Sequence, residues 1–205
     1  MSLALHSFFN IDRSSRVRWL AEELGITIEE NRLNPFEGKH KQGAFRKLSP
    51  FGLVPAAVID DTPMYDSAAI MLSLAEKENS ELAPAVASEE RQRFLSLYFY
   101  AASNLDASVF QYVSAIRAEK PDEDIAAKRD SLGEQLTTLN QWLEGKTTLL
   151  ANFTLADILV SQLLGILNRI DALESYPSLK QYVTAMSARP AAVKAEVFTS
   201  AFPAN

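Results

Sequence analysis

Asp66-Ser67 is the pair in this chain best placed to hold a small polar molecule. Asp66-Ser67 falls where an apolar helical pattern (Ala69, Ile70, Leu72, Leu74) begins. A helix start offers unpaired amides and the positive end of the helix dipole to a carboxylate. Ser67 adds a hydroxyl donor, and Asp66 carries the charge to hold an ammonium. The competing role for both is helix capping, and the two roles are compatible. Gly38-Lys39-His40-Lys41 is a local basic cluster in a chain of net charge -6, readable as part of a site or as a solvated loop. Ser14 and Ser15 stand at the expected start of the first helix, where serine hydroxyls cap or do chemistry. There is no cysteine, so disulfides, thiolate zinc sites and cysteine nucleophiles are excluded, and any thiol must arrive with the substrate. With only His6 and His40, and no HExxH spacing, no metal is expected.

The acidic balance argues against a general affinity for nucleic acid, whose phosphates need a basic footprint. No run of apolar residues resembles a signal-peptide core or approaches transmembrane length, so the expectation is a cytoplasmic protein with no membrane partner. At 205 residues and 47% hydrophobic content the chain can bury one large core or two small ones.

The elements that must position these residues are legible in the hydrophobic periods. Leu3 to Phe9 suits a buried strand. Val17, Leu20, Ala21 and Leu24 form the stripe of a helix over 14–25, closed by Gly25. Ile26 to Leu33 reads as a second strand and Lys39 to Leu48 as a short helix. Ala56 to Ile59 and Met64-Tyr65 flank a turn at Asp60-Asp61-Thr62-Pro63, and the helix at Asp66-Ser67 follows. The order is βαβαββα, an α/β unit over 1–78. A polar, proline-containing linker spans 79–87, and 88–205 reads as all-helical. There, Leu132, Leu136, Leu139 and Leu143 make one stripe, and Leu155 to Ile170 is apolar on nearly every face. Thr154 and Asp157 have the spacing of a capping box.

A βαβαββα unit with a proline opening its third strand, joined to a helical domain, resembles the glutathione transferases with their thioredoxin-like N-terminal half. The resemblance is carried by Glu22-Glu23-Leu24-Gly25, Ser49-Pro50-Phe51-Gly52-Leu53-Val54-Pro55, Asp66-Ser67, Phe153-Thr154-Leu155-Ala156-Asp157 and Arg189-Pro190. It implies a cis Val54-Pro55 bond, with the Val54 N–H and C=O free to pair with the cysteinyl backbone of glutathione like an added strand. It also implies that Asp66 and Ser67 hold the γ-glutamyl end, and that His40, with Lys41, meets the glycine carboxylate. Leu53 departs from the family's frequent lysine or glutamine.

For the residue that activates the thiol, the resemblance leaves alternatives open. One alignment places Ser7 at a catalytic tyrosine and Arg13 at a supporting arginine; another places Asp12 at the catalytic position, where its charge would oppose a thiolate. Ser14 is a third candidate, with Asn10 in reserve. Tyr98, Tyr100 and Asn104 would line an electrophile pocket or pack as core. The implied activity is conjugation of glutathione, as co-substrate, to small hydrophobic electrophiles by a homodimer acting in detoxification, with Phe51 at the dimer contact. The alternatives are a glutathione-dependent isomerase, peroxidase or dehalogenase, or a catalytically silent binding or regulatory protein of the same fold.

Overall fold

The computed structural model describes residues 1–199, which divide into two units: Met1–Ala83 with the chain from Arg189 onward, and Pro84–Ala188. The first unit is thioredoxin-like. Its elements are β1 (Leu3–Ser7), α1 (Ser14–Leu24), β2 (Glu29–Arg32), α2 (Phe45–Leu48), β3 (Ala56–Ile59), β4 (Thr62–Tyr65) and α3 (Ser67–Lys77), in the expected βαβαββα order. The sheet order is β2-β1-β3-β4, with β1 parallel to β2 and antiparallel to β3, and β3 antiparallel to β4.

Four expected boundaries shift, among them that of the fourth strand, which already begins at Thr62 inside the expected turn. The first strand stops at Ser7 because the Asp12 carboxylate accepts from the amides of Phe8 and Phe9, both at 2.8 Å, and turns the chain. The second covers only Glu29–Arg32 of the expected span. The expected helix from Lys39 to Leu48 is a 3-10 turn (Lys39–Lys41) and then α2, separated at Gly43, whose φ of 50° lies outside helical space.

Along β1, Leu3, Leu5 and Ser7 are buried on one face while Ala4 and His6 point to the other, where the His6 ring meets Phe45 of α2 edge-on. The core of this unit gathers Leu5, Val17, Leu20, Ala57, Ile70, Met71 and Leu74, all fully buried.

The second unit is helical: α4 (Glu90–Tyr100) passes through one π-type turn, Ala101–Leu105, into α5 (Asp106–Arg117), followed by α6 (Asp122–Trp142), α7 (Leu155–Asn168) and α8 (Pro177–Ser187). As its all-round apolarity requires, α7 is buried from Leu155 to Leu167 and forms the centre of this unit. Its start is the expected capping box: Asp157 accepts from the Thr154 amide at 2.9 Å. The same carboxylate also accepts from the Leu149 amide at 2.8 Å and the Tyr182 hydroxyl at 2.9 Å.

The last helix, α9 (Pro190–Lys194), belongs with the first unit, so the helical unit ends earlier than a division of the chain at residue 88 implies. The reason is electrostatic as well as apolar. Arg189 grips both oxygens of Glu23 at 2.9 and 3.0 Å, and Lys194 pairs with Glu22.

Candidate functional site

Strand register brings the sequence-distant candidates to one end of the sheet. The β3–β4 ladder pairs Ala56 with Tyr65, so Pro55 and Val54 continue beside Asp66 and Ser67. The β1–β3 ladder ends with His6 opposite Ala56, which sets Ser7 beside Pro55. The Val54-Pro55 bond is cis, Pro55 is buried, and Val54 lies beyond the last rung of both ladders.

Asp66 holds a left-handed backbone (φ 73°) and caps α3: one carboxylate oxygen accepts from the amides of Ala68 (2.8 Å) and Ala69 (3.2 Å). The capping role is therefore realised, and two of the donors that the helix start would offer an anion are spent. Ser67 follows as the first residue of α3, 2% exposed, and its hydroxyl oxygen accepts from Nη1 of Arg16 at 3.1 Å. Arg16 is itself 1% exposed and was no part of the sequence-derived site. The signal was available, since Arg16 lies one turn before Leu20 on the flank of the buried stripe of α1, where a charge needs a reason.

The basic loop closes on the same end. His40 is buried, its ring 4.9 Å edge-on from Phe8, and its Nδ1 has no hydrogen-bond partner among the described residues. The loop lies so close to Gly52 (φ 66°) that a Cβ there would stand 2.8 Å from the His40 carbonyl oxygen. Arg46 ties its two flanks by donating to the carbonyls of Lys41 (3.1 Å) and Pro50 (2.7 Å). Lys41 and Leu53 are exposed, and the Leu53 amide donates to Ser49 Oγ at 3.1 Å.

The thiol-activation candidates fare differently. Ser7 is fully buried on the Leu3–Leu5 face, and its hydroxyl donates to Glu30 at 2.7 Å. Glu30 also pairs with Arg18 at 2.7 Å and with Arg32. Burial pushes the Glu30 carboxyl up, but Ser7, Arg18 and Arg32 outweigh it and hold its pKa below the ordinary glutamate value. Asp12 is a loop clamp, accepting from Phe8, Phe9 and the Ser14 amide (2.7 Å). Arg13 precedes α1, half-buried. Ser14 and Ser15, in the first turn of α1, are fully buried, and neither hydroxyl has a hydrogen-bond partner among the described residues. A buried hydroxyl without a partner is rare and costly. Asn10 donates to Glu196.

In the second unit Tyr98 is fully buried and stacks on Phe94, Tyr100 donates to Gln135 at 2.8 Å, and Asn104 is exposed beside Ser103. Tyr98 is therefore core. Among the described residues no cluster of three or more His, Cys, Asp or Glu could hold a metal, and no helix is long and apolar enough to cross a membrane.

Two family descriptions match the chain. The description "Glutathione S-transferase, N-terminal domain" matches residues 13–77, and "Glutathione S-transferase, C-terminal domain" matches residues 67–190. The chain belongs to the glutathione S-transferase family. Glutathione S-transferase 3 of Zea mays is 30% identical over 197 residues, covering 86% of this chain and 85% of that protein. Glutathione S-transferase F9 of Arabidopsis thaliana is 41% identical over 59 residues, only 29% of this chain and 27% of that protein. Among solved structures, the glutathione transferase URE2P6 of Phanerochaete chrysosporium, in complex with oxidized glutathione, superposes with a TM-score of 0.86 at 22% identity. It covers 95% of this chain and 94% of that one, a likeness of glutathione S-transferase fold.

Proposed function

We propose that this glutathione S-transferase binds glutathione at the Val54-Pro55 and Asp66-Ser67 end of its first unit and adds it, as a thiolate, to small hydrophobic electrophiles. The observation that carries the reading is the register Ala56–Tyr65, which continues into an unladdered Val54 beside a capped Asp66-Ser67. Val54 offers an N–H and a C=O to the cysteinyl backbone in the manner of an added strand. Ser67 serves the γ-glutamyl carboxylate and Asp66 the ammonium. His40, whose Nδ1 lacks a partner among the described residues, meets the glycine carboxylate, with Lys41 adding charge at the rim. Leu53 contributes only backbone or apolar contact.

For the thiol, Ser14 is the better donor. A hydroxyl has one proton; that of Ser7 goes to Glu30, whereas that of Ser14 has no taker among the described residues. Ser14 also begins α1, where the helix dipole favours an anion, and Arg13 adds charge beside it. Lowering a thiol pKa by about two units takes roughly 2.7 kcal/mol, within the reach of one hydroxyl donor, a helix start and a nearby cation together. The alternative of a silent binding protein drew on Asp12 opposing a thiolate and on the missing tyrosine; the Asp12 carboxylate accepts from three amides, which fixes its place as a loop clamp.

The working form is a homodimer in the cytoplasm. Phe51 (68% exposed) with its edge-on partner Tyr65 (42% exposed) is an aromatic pair suited to a second copy. Isothermal titration with glutathione tests the binding half of the proposal: saturable heat is expected, and none at millimolar ligand would refute it. Turnover across a panel of electrophiles then separates conjugation from isomerase, peroxidase or dehalogenase chemistry.

A further inference from the structure

The bond between Arg16 and Ser67 has a fixed polarity. A guanidinium carries donors and no acceptor, so in the 3.1 Å contact Arg16 Nη1 gives the proton and Ser67 Oγ takes it. The hydroxyl proton of Ser67 must therefore point elsewhere. A serine inside a helix commonly returns its proton to the carbonyl one turn back. Ser67, the first residue of α3, has no preceding helical turn to receive it. Asp66 spends one carboxylate oxygen on the amides of Ala68 and Ala69, so these two donors are not available to a bound anion.

We propose that Arg16 is a positioning residue for ligand recognition: it turns the Ser67 hydroxyl into an outward donor for the α-carboxylate of the ligand's γ-glutamyl group. The inference rests on the glutathione reading of the site. A lysine could supply charge but not the planar fork that fixes the direction of the donated bond. Arg16 thereby links the first turn of α1, where the thiol is met, to the first turn of α3, where the other end of the ligand is held. Arg16 acts through Ser67, and specificity for a carboxylate at that end is what it sets.

The test compares glutathione with γ-aminobutyryl-cysteinylglycine, which keeps the ammonium, thiol and glycine but lacks the α-carboxylate. Isothermal titrations use the full chain unaltered and as R16Q, R16K, S67A and R16Q/S67A. R16Q should weaken glutathione about tenfold, the scale of one hydrogen bond to a charged group, and change the analogue by less than about twofold. In the S67A background R16Q should add less than about twofold, because the two act as one unit. R16K should weaken glutathione less than S67A does and leave the analogue unchanged, an arm that stands even if R16Q does not fold. Equal weakening of both ligands by R16Q or R16K, or independent additive losses in the double variant, would overturn the inference and leave Arg16 as a tie between helices. Failure of the unaltered protein to bind glutathione would instead overturn the reading beneath it, and the inference with it.

Discussion

The Ser7 hydroxyl donates to Oε1 of Glu30 at 2.7 Å, and the same oxygen accepts from Arg18 Nη1 at the same distance. A serine that the alignment sets at a catalytic position is thereby built into an ion-paired network on the buried face of β1. Ser7→Ala should cost about 1.5–3 kcal/mol of stability, the scale of a hydrogen bond to a charged group, without moving the pKa of a bound thiol. Denaturant unfolding and a thiolate titration of the same variant check both halves.

The network also fixes a pH dependence. The folded-state pKa of Glu30 lies below its ordinary value, so the chain binds that proton more weakly when folded. Its contribution is present above the unfolded glutamate pKa and is lost as pH falls through the folded one. Glu30→Gln should therefore be less stable than the parent near neutrality, with the gap narrowing on acidification. Unfolding midpoints measured across the acid range should show that convergence.

Gly52 should tolerate no side chain. Its φ of 66° is costly for any other residue, and a Cβ would meet the His40 carbonyl oxygen at 2.8 Å. Gly52→Ala should lose about 1–3 kcal/mol of stability and displace the His40 loop. Because that loop is assigned to the glycine carboxylate, the variant should also bind glutathione more weakly than Lys41→Ala, which removes only an exposed charge. Parallel titrations of the two variants provide the comparison.

Asp157 anchors the second unit through four donors: the amides of Leu149 and Thr154 and the hydroxyls of Tyr182 and Thr154. Asp157→Ala should destabilise by about 3 kcal/mol, since buried donors are left unpaired, and Asp157→Asn by less. Burial raises the Asp157 pKa against the pull of those four donors, the reverse of Glu30. Its contribution falls as pH rises from the unfolded carboxylate value through the raised folded one. Thermal unfolding of the two variants reads the ranking.

Much of the fold was legible because periods of two and 3.6 residues encode which face is buried. The same logic hid part of the site. Ser7 falls in step with Leu3 and Leu5, so its burial could have been read from alternation, but its partner Glu30 depends on the parallel register of β2. Arg16 carried a faint signal as a charge flanking an apolar stripe, yet its contact with Ser67 joins two helices that only the tertiary fold brings together. The placement of α9 turned on Glu23 and Arg189, ends of a pair far apart in sequence. Val54-Pro55 and Asp66-Ser67 were readable because each sits at the boundary of an element, where local sequence has most say.

The central claim is that this chain binds glutathione and holds its sulfur as a thiolate beside Ser14. Thiolate absorbance of the bound complex, titrated with pH, measures it most directly. The account predicts a thiol pKa well below the free value of about 8.5, returning toward it in Ser14→Ala but not in Ser7→Ala. A bound thiol that titrates at its free value in the unaltered protein would contradict it.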